Sequence, residues 1–365
     1  MEKTQQSLLL RSVRVLTLLT FSIAALYYAQ SFLIPVCFAA LLAMLLMPVN
    51  KWLERKRVPL GFASLISTLL LVSVFAGLIA ILAWQLSDLL GNLQKLEQMV
   101  NNAVSRIQQM IHESFSITPK EQTQMVQEQS QHGGSAAMAT KMVSRFMSIL
   151  VDIILTLVYI FLFLYFRGHI KNFIFKLVPQ DERSNARTII SDAGKVAQQY
   201  ITGLGSMIVL LWVMYGIGFS IVGVKNAIFF AILCGILEIV PFVGNLTGTT
   251  ITVLMTFAQG GDAGMVIGVV VTYAIVQFIQ TYILEPLVVG SEVNINPLFT
   301  VMVLVLGELL WGIPGMILAI PLLGILKIIF DHIEPLKPYG YLIGGDKRKS
   351  PGLLDKLRKK SGKRK

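Results

Sequence analysis

Glu238, Glu285 and Glu308 stand within or beside long apolar runs, and each has neighbours that mark it out. Glu238 precedes Pro241, Gly244 and Asn245 in ILEIVPFVGNLTG. Glu308 precedes Gly312, Pro314 and Gly315 in LWGIPGMILAIP in the same way. Glu285 closes VQFIQTYILEP, where Gln277, Gln280, Thr281 and Glu285 have offsets of 0, 3, 4 and 8 and so share one face of a helix. A charge in the middle of a bilayer costs about 2.5–3.5 kcal/mol on insertion scales. Proline and glycine interrupt a helix and free backbone groups that can line a cavity. Together these residues could bind a polar solute, or a proton or sodium ion held by a carboxylate. The plainer alternative is structural: Glu238 ties down a broken backbone, and the stripe is hydrogen-bonding glue between helices. Asp152 and the Lys327–Asp331 pair read as structural.

Other chemistries lack their residues. The sequence has no G-x-x-x-x-G-K-[ST] loop and so no ATP motor of its own. His112, His132, His169 and His332 avoid the span centres and form no H-E-x-x-H. Cys37 and Cys234 give no metal spacing and read as small buried hydrophobes. No metal site, cofactor or catalytic constellation is expected, and the chain does not read as an enzyme. The net charge of +11 does not point to nucleic acid: ten basic residues follow residue 345, and most others sit in short loops. That is the distribution of cytoplasmic loops in membrane proteins.

The elements that position these residues follow from composition. Of the 365 residues, 55% are apolar and 14% charged, against about 45–50% and 25% in soluble domains. Apolar runs of about 20 residues or more exclude a β-barrel and predict an all-α polytopic membrane protein, in contact with membrane lipid. Spans are expected at Val13–Phe32 and Leu33–Val49, joined as a hairpin near Gln30 and Pro35, then at Phe62–Trp84 and Phe146–Phe166. The basic loops at 51–57 and 167–176 belong in the cytoplasm, with both termini, and residues 87–145 outside. Apolar segments follow at Tyr200–Val222, Ala227–Val243, Leu246–Ala258, Ala263–Leu284 and Leu298–Phe330. The two interrupted runs read either as paired short crossings or as re-entrant hairpins. This gives ten crossings, or six plus two hairpins, with about eight membrane helices as the central expectation. A span followed by a broken segment occurs twice with opposite direction, the form of an inverted repeat.

The domain organisation is therefore N-terminal membrane helices (1–86), an extracytoplasmic helical insert (87–145), a membrane helix (146–166), a cytoplasmic helical linker (167–199), a transport core with broken helices (200–333) and a basic cytoplasmic tail (334–365). Within the insert, Leu89, Leu93, Leu96, Val100, Ala103, Ile107 and Met110 alternate steps of four and three, a coiled-coil-type seam. It packs either within the chain or between subunits. His132–Ser135 (HGGS) reads as a turn.

The chain resembles the autoinducer-2 exporter, or PerM-like, family. The resemblance rests on Y-I-T-G at Tyr200–Gly203, E-I-V-P-F-V-G at Glu238–Gly244, the Gln277–Pro286 segment ending in E-P, N-P-L at Asn296–Leu298 (with Pro297 as a further helix break) and G-I-P-G-M-I-L-A-I-P at Gly312–Pro321. It implies a bacterial inner-membrane transporter without an ATPase, linked in some members to autoinducer-2 export and in others to sodium–proton antiport. It also implies homo-oligomers, pentamers among them. The main reading is a secondary transporter or facilitator exporting a small polar solute. A sodium–proton antiporter and a non-transporting membrane scaffold are the alternatives. The topology is testable with a membrane-impermeant thiol reagent. Ser130→Cys should be labelled from outside and Ser361→Cys should not; the reverse pattern would overturn the assignment.

Overall fold

The computed structural model describes residues 2–90, 135–241, 243–289 and 295–345. The elements are α1 (Glu2–Tyr28), α2 (Gln30–Arg55), α3 (Leu60–Leu90), α4 (Ser135–Tyr165), α5 (Arg167–Leu177), α6 (Arg183–Val222), α7 (Ala227–Leu237), α8 (Val243–Ala258), α9 (Ala263–Ile279), a π-helical stretch (Gln280–Val289), α10 (Pro297–His332) and α11 (Lys337–Ile343). Among the described residues there is no strand, only an isolated bridge between Ile295 and Gly344. Six helical runs are long and apolar enough to cross a bilayer: Gln30–Arg55, Leu60–Gln85, Met147–Tyr165, Gln180–Val222, Ala263–Leu284 and Pro297–His332. Val13–Tyr28, Ala227–Leu237 and Val243–Ala258 are shorter apolar helices. The chain is an all-α, multi-pass membrane protein. Apart from Leu89 near the end of α3, the heptad seam lies outside the described residues.

The N-terminal pair is not a hairpin. Backbone hydrogen bonds run through the junction, from Ala29 N to Ala25 O (2.9 Å) and from Leu33 N to Ala29 O (2.9 Å). Ala29 has φ −87° and ψ 9°, which bends the chain without reversing it. No residue there has the positive φ of a tight reversal, and Pro35 sits inside α2, where neighbouring helices bury it. After α2 the chain does reverse: Arg57 adopts φ 66°, and Val58 N returns to Leu53 O at 3.2 Å. That is a left-handed helix stop of the kind glycine usually supplies.

The α2–α3 turn is tied to the end of α4. Arg167, the first residue of α5, donates Nη1–H to Asn50 Oδ1 at 3.0 Å and pairs through Nη2 with the Glu54 carboxylate. Asn50 is fully buried and donates Nδ2–H to Ser64 Oγ at 3.2 Å. One arginine thus joins α2, α3 and the α4–α5 corner. The sequence had offered these charges only as topology markers.

α6 is the spine. Pro179 leads into a short 3-10 turn, Gln180–Glu182, and α6 then runs unbroken to Gly223. The expected linker and the expected span are therefore parts of one helix, about 60 Å long. Its first half packs Ala197 against Leu41 of α2 and Leu318 of α10. Its second half packs Leu211, Tyr215 and Phe219 against Phe230 of α7 and Val269 and Val276 of α9.

Both interrupted runs fold as tight hairpins. In α7–α8, Gly244 lies so close to the Leu237 carbonyl that a Cβ there would overlap it. In α10 the helix is broken at Gly312 (φ 62°, ψ −144°), and Gly307 and Gly315 meet backbone to backbone. The α7 arm rises only about 17 Å, and the first α10 arm (297–311) about 22 Å, short of a hydrocarbon core of about 30 Å. By length neither of these arms crosses alone, whereas the second arm of α10 (313–332) reaches about 30 Å. The span-then-hairpin order does repeat, but the packing does not. α7–α8 packs on α6, α9 and α3, whereas α10 packs on α6, α2, α1 and α11. The Trp311 indole N–H at the α10 tip reaches Leu26 O of α1 at 2.9 Å.

The Gly244 contact predicts a steep cost for a single methyl group. Gly244→Ala should lower stability in detergent by about 1–3 kcal/mol or more. Gly205→Ala, at an exposed α6 position with nothing within 4 Å, should be neutral or stabilising by up to about 1 kcal/mol. Thermal unfolding of the two variants checks this.

Candidate functional site

The α7–α8 break uses its own backbone first. Glu238 N, Ile239 N and Val240 N return to Cys234 O, Ile236 O and Leu237 O at 3.0, 3.1 and 2.9 Å. Gly244 N returns to Val240 O at 3.0 Å. Pro241 lies in the turn and has no amide proton to satisfy. With these turn amides paired, polar side chains at the tip can point elsewhere, and they point at α9.

Glu238 Oε1 accepts from Gln280 Nε2 at 2.9 Å. One turn away, Asn245 Nδ2 donates to Gln277 Oε1, and Gln277 Nε2 lies 3.5 Å from Thr281 Oγ1. Two sequence-distant clusters, Glu238–Asn245 and Gln277–Thr281, therefore form one site. Gln280 is only 3% exposed and Glu238 is half-buried. Two amide oxygens of this site, Asn245 Oδ1 and Gln280 Oε1, are buried and accept no hydrogen bond from a described residue. A buried amide oxygen without a donor costs about 1–3 kcal/mol. Tyr273 of α9 and Tyr215 of α6 lie within electrostatic reach of Glu238.

From Gln280 the chain is π-helical, with more residues per turn than an α-helix. Gln280 turns inward while Thr281 is exposed. Pro286 and the backbone of Glu285 belong to this stretch; the Glu285 side chain lies outside the described residues.

The remaining candidates sit elsewhere. Asn296 caps α10, accepting from Leu298 N at 3.0 Å, and Pro297 occupies the first helical turn. Glu308 is exposed on the first arm of α10. Gly312 makes the α10 break, Pro314 follows it, and Gly315 packs on Gly307. Among the described residues α10 does not touch α7, α8 or α9, so Asn296 and Glu308 are not brought to Glu238. Lys327 and Asp331 pair at 2.5 Å near the end of α10. No three of His, Cys, Asp and Glu converge as a metal ligand set among the described residues. Sequence reasoning missed Thr252 and Thr256, both buried in α8, with Thr252 Oγ1 3.5 Å from Cys234 Sγ. Threonines four residues apart in a glycine-containing helix were the available signal.

The family profile of AI-2E family transporters matches residues 16–334. The chain belongs to that family. It is similar to two candidate transport proteins of Bacillus subtilis (strain 168). YrrI is 25% identical over 315 residues, covering 83% of this chain and 87% of YrrI. YueF is 27% identical over 323 residues, covering 85% and 86%. It is also similar to the candidate transport protein YhhT of Escherichia coli (strain K12), 21% identical over 356 residues, 96% of this chain and 97% of YhhT. In this AI-2E family member the matched span includes the whole Glu238–Gln280 site and both glycine-closed hairpins. The protein is a membrane transporter.

The site predicts an asymmetry between neighbours. Gln280→Leu removes a donor from a half-buried carboxylate and should cost about 1–3 kcal/mol. Thr281→Val, one residue on but exposed, should stay within about 0.5 kcal/mol. Chemical or thermal unfolding in one detergent compares them directly.

Proposed function

We propose that this transporter is a cation-coupled secondary transporter of the bacterial inner membrane that exports a small polar solute, with autoinducer-2 as the first candidate. The observation that carries the reading is the Glu238–Gln280 contact at the tip of a re-entrant hairpin, with the unpaired Asn245 and Gln280 amide oxygens in the same cluster. A carboxylate and amide oxygens are hard donors, suited to sodium or a proton and not to a soft metal. Broken helices at such a site supply polar backbone without exposing it to lipid. In this reading Glu238 carries the coupling cation, Gln280 holds the carboxylate in place, and Asn245, Gln277 and Thr281 contact the solute. Glu285 is a second candidate carboxylate. The α7–α8 hairpin enters from outside and α10 from the cytoplasm, with the loops at 51–57 and 167–176 and the basic tail inside. The chain acts as a homo-oligomer and performs no catalysis. The oxygen-rich donor set favours sodium–proton antiport as the second reading.

Reconstitution in liposomes tests this. The parent protein should show solute efflux that responds to a pH or sodium gradient. Glu238→Gln keeps the volume and removes the titratable charge; it should abolish the gradient response while insertion stays intact. Sodium-dependent proton movement without solute efflux would select the antiporter. Gradient-driven flux surviving in both Glu238→Gln and Glu285→Gln would contradict a carboxylate-coupled mechanism.

A further inference from the structure

α5 and the start of α6 line a half-open cavity of about 560 Å³. Phe173, Phe175, Lys176, Arg183 and Arg187 line it, with His169. No acid lines it: Asp181 and Glu182 lie next to Arg183 in the chain but outside the cavity. Lys176, Arg183 and Arg187 form no ion pair with a described acid. Three permanent cations therefore face one space without a counter-charge from the described chain. The Arg187 guanidinium stands 5.9 Å from the centre of the Phe175 ring, and Lys171 Nζ stands 5.6 Å from it. The ring face holds the guanidinium in position.

The second observation is the outer face of α5. Ile170, Phe173 and Leu177 are exposed, Leu177 by 68%, and their offsets of 0, 3 and 7 put them on one side of the helix. α5 begins at a bend, Phe166 (φ −90°, ψ 8°), directly after the apolar run of α4. An amphipathic helix at the end of a span, apolar on one face and basic beside it, lies at the headgroup level of a bilayer. Phe173 belongs both to the apolar face and to the cavity wall.

We infer that this cavity binds the phosphate of an anionic phospholipid, whose acyl chains lie along Ile170, Phe173 and Leu177. Charge complementarity selects an anion, and the adjoining exposed apolar face selects a lipid over a soluble phosphate. The chain's own tail is excluded as the occupant by sign: after residue 345 it carries ten basic residues against Asp346 and Asp355. This site is independent of the Glu238 cluster and of the transport reading.

The test places a reporter at the junction of cavity and apolar face. Full-length protein carrying Phe173→Trp is reconstituted in phosphatidylcholine vesicles containing a minor fraction of brominated phosphatidylglycerol or brominated phosphatidylcholine. Quenching by the anionic lipid should exceed quenching by the zwitterionic lipid several-fold. The preference should vanish when Arg183→Gln and Arg187→Gln are added. It should persist when Lys359→Gln and Lys360→Gln are added instead, which separates the cavity from the tail. Equal quenching by both lipids, or a preference that survives the double arginine variant, would overturn the site. Relief of quenching by inorganic phosphate at matched concentration would overturn the lipid in favour of a free anion. The unaltered protein gives a reading that does not depend on how the variants fold. Delipidated and offered both lipids, it should retain phosphatidylglycerol in native mass spectrometry; retention of neither or of both equally would count against the proposal.

Discussion

A helix that stops inside an apolar layer must satisfy its own freed backbone, and this structure meets that constraint by closing the chain on itself at glycine. Gly244 sits against the Leu237 carbonyl because it has no Cβ. The closure lets Glu238, Ile239 and Val240 return their amides to the preceding turn. Only then is the side chain of Glu238 available to another helix, where it meets Gln280. Gly307 and Gly315 impose the same closure on α10. The Glu238 site exists because the α7–α8 break is stable, and that break is stable because backbones can touch there.

The two hairpins share a spine without sharing a site. α6 presents its second half to α7 and its first half to α10, so one continuous helix contacts both interrupted elements. The π-helical stretch Gln280–Val289 also packs on α6. The Arg167–Glu54–Asn50 cluster fixes α2, α3 and the α4–α5 corner at the other end. Breaking a half-buried pair of this kind leaves an uncompensated charge, so loss of Arg167 or Glu54 would destabilise this corner.

Much of this was legible in the residues. The breaks at Pro241–Gly244 and Gly312–Gly315 announce themselves because proline and glycine act locally, and both became hairpins. The pairing of Glu238 with the Gln277–Gln280 segment was expected only as two separate polar clusters, since nothing local records which helices meet. One reading failed for an identifiable reason. A short loop near Gln30 suggested a hairpin, but Pro35 is accommodated inside α2, and Ala29 only bends the chain. The apolar run begins at Tyr200 but α6 starts upstream at Arg183, because hydropathy marks where lipid begins and not where hydrogen bonding does.

The central claim is that Glu238 is a cation-exchanging carboxylate and not merely a hydrogen-bond acceptor that fastens α7 to α9. Difference infrared spectroscopy on the reconstituted protein tests it most directly, by following the carboxyl band as sodium is added at fixed pH. The account predicts that sodium displaces a proton from one carboxyl group in the parent protein and that this signal is absent in Glu238→Gln. A carboxyl signal of equal size in Glu238→Gln, or no sodium-dependent signal in the parent, would contradict it.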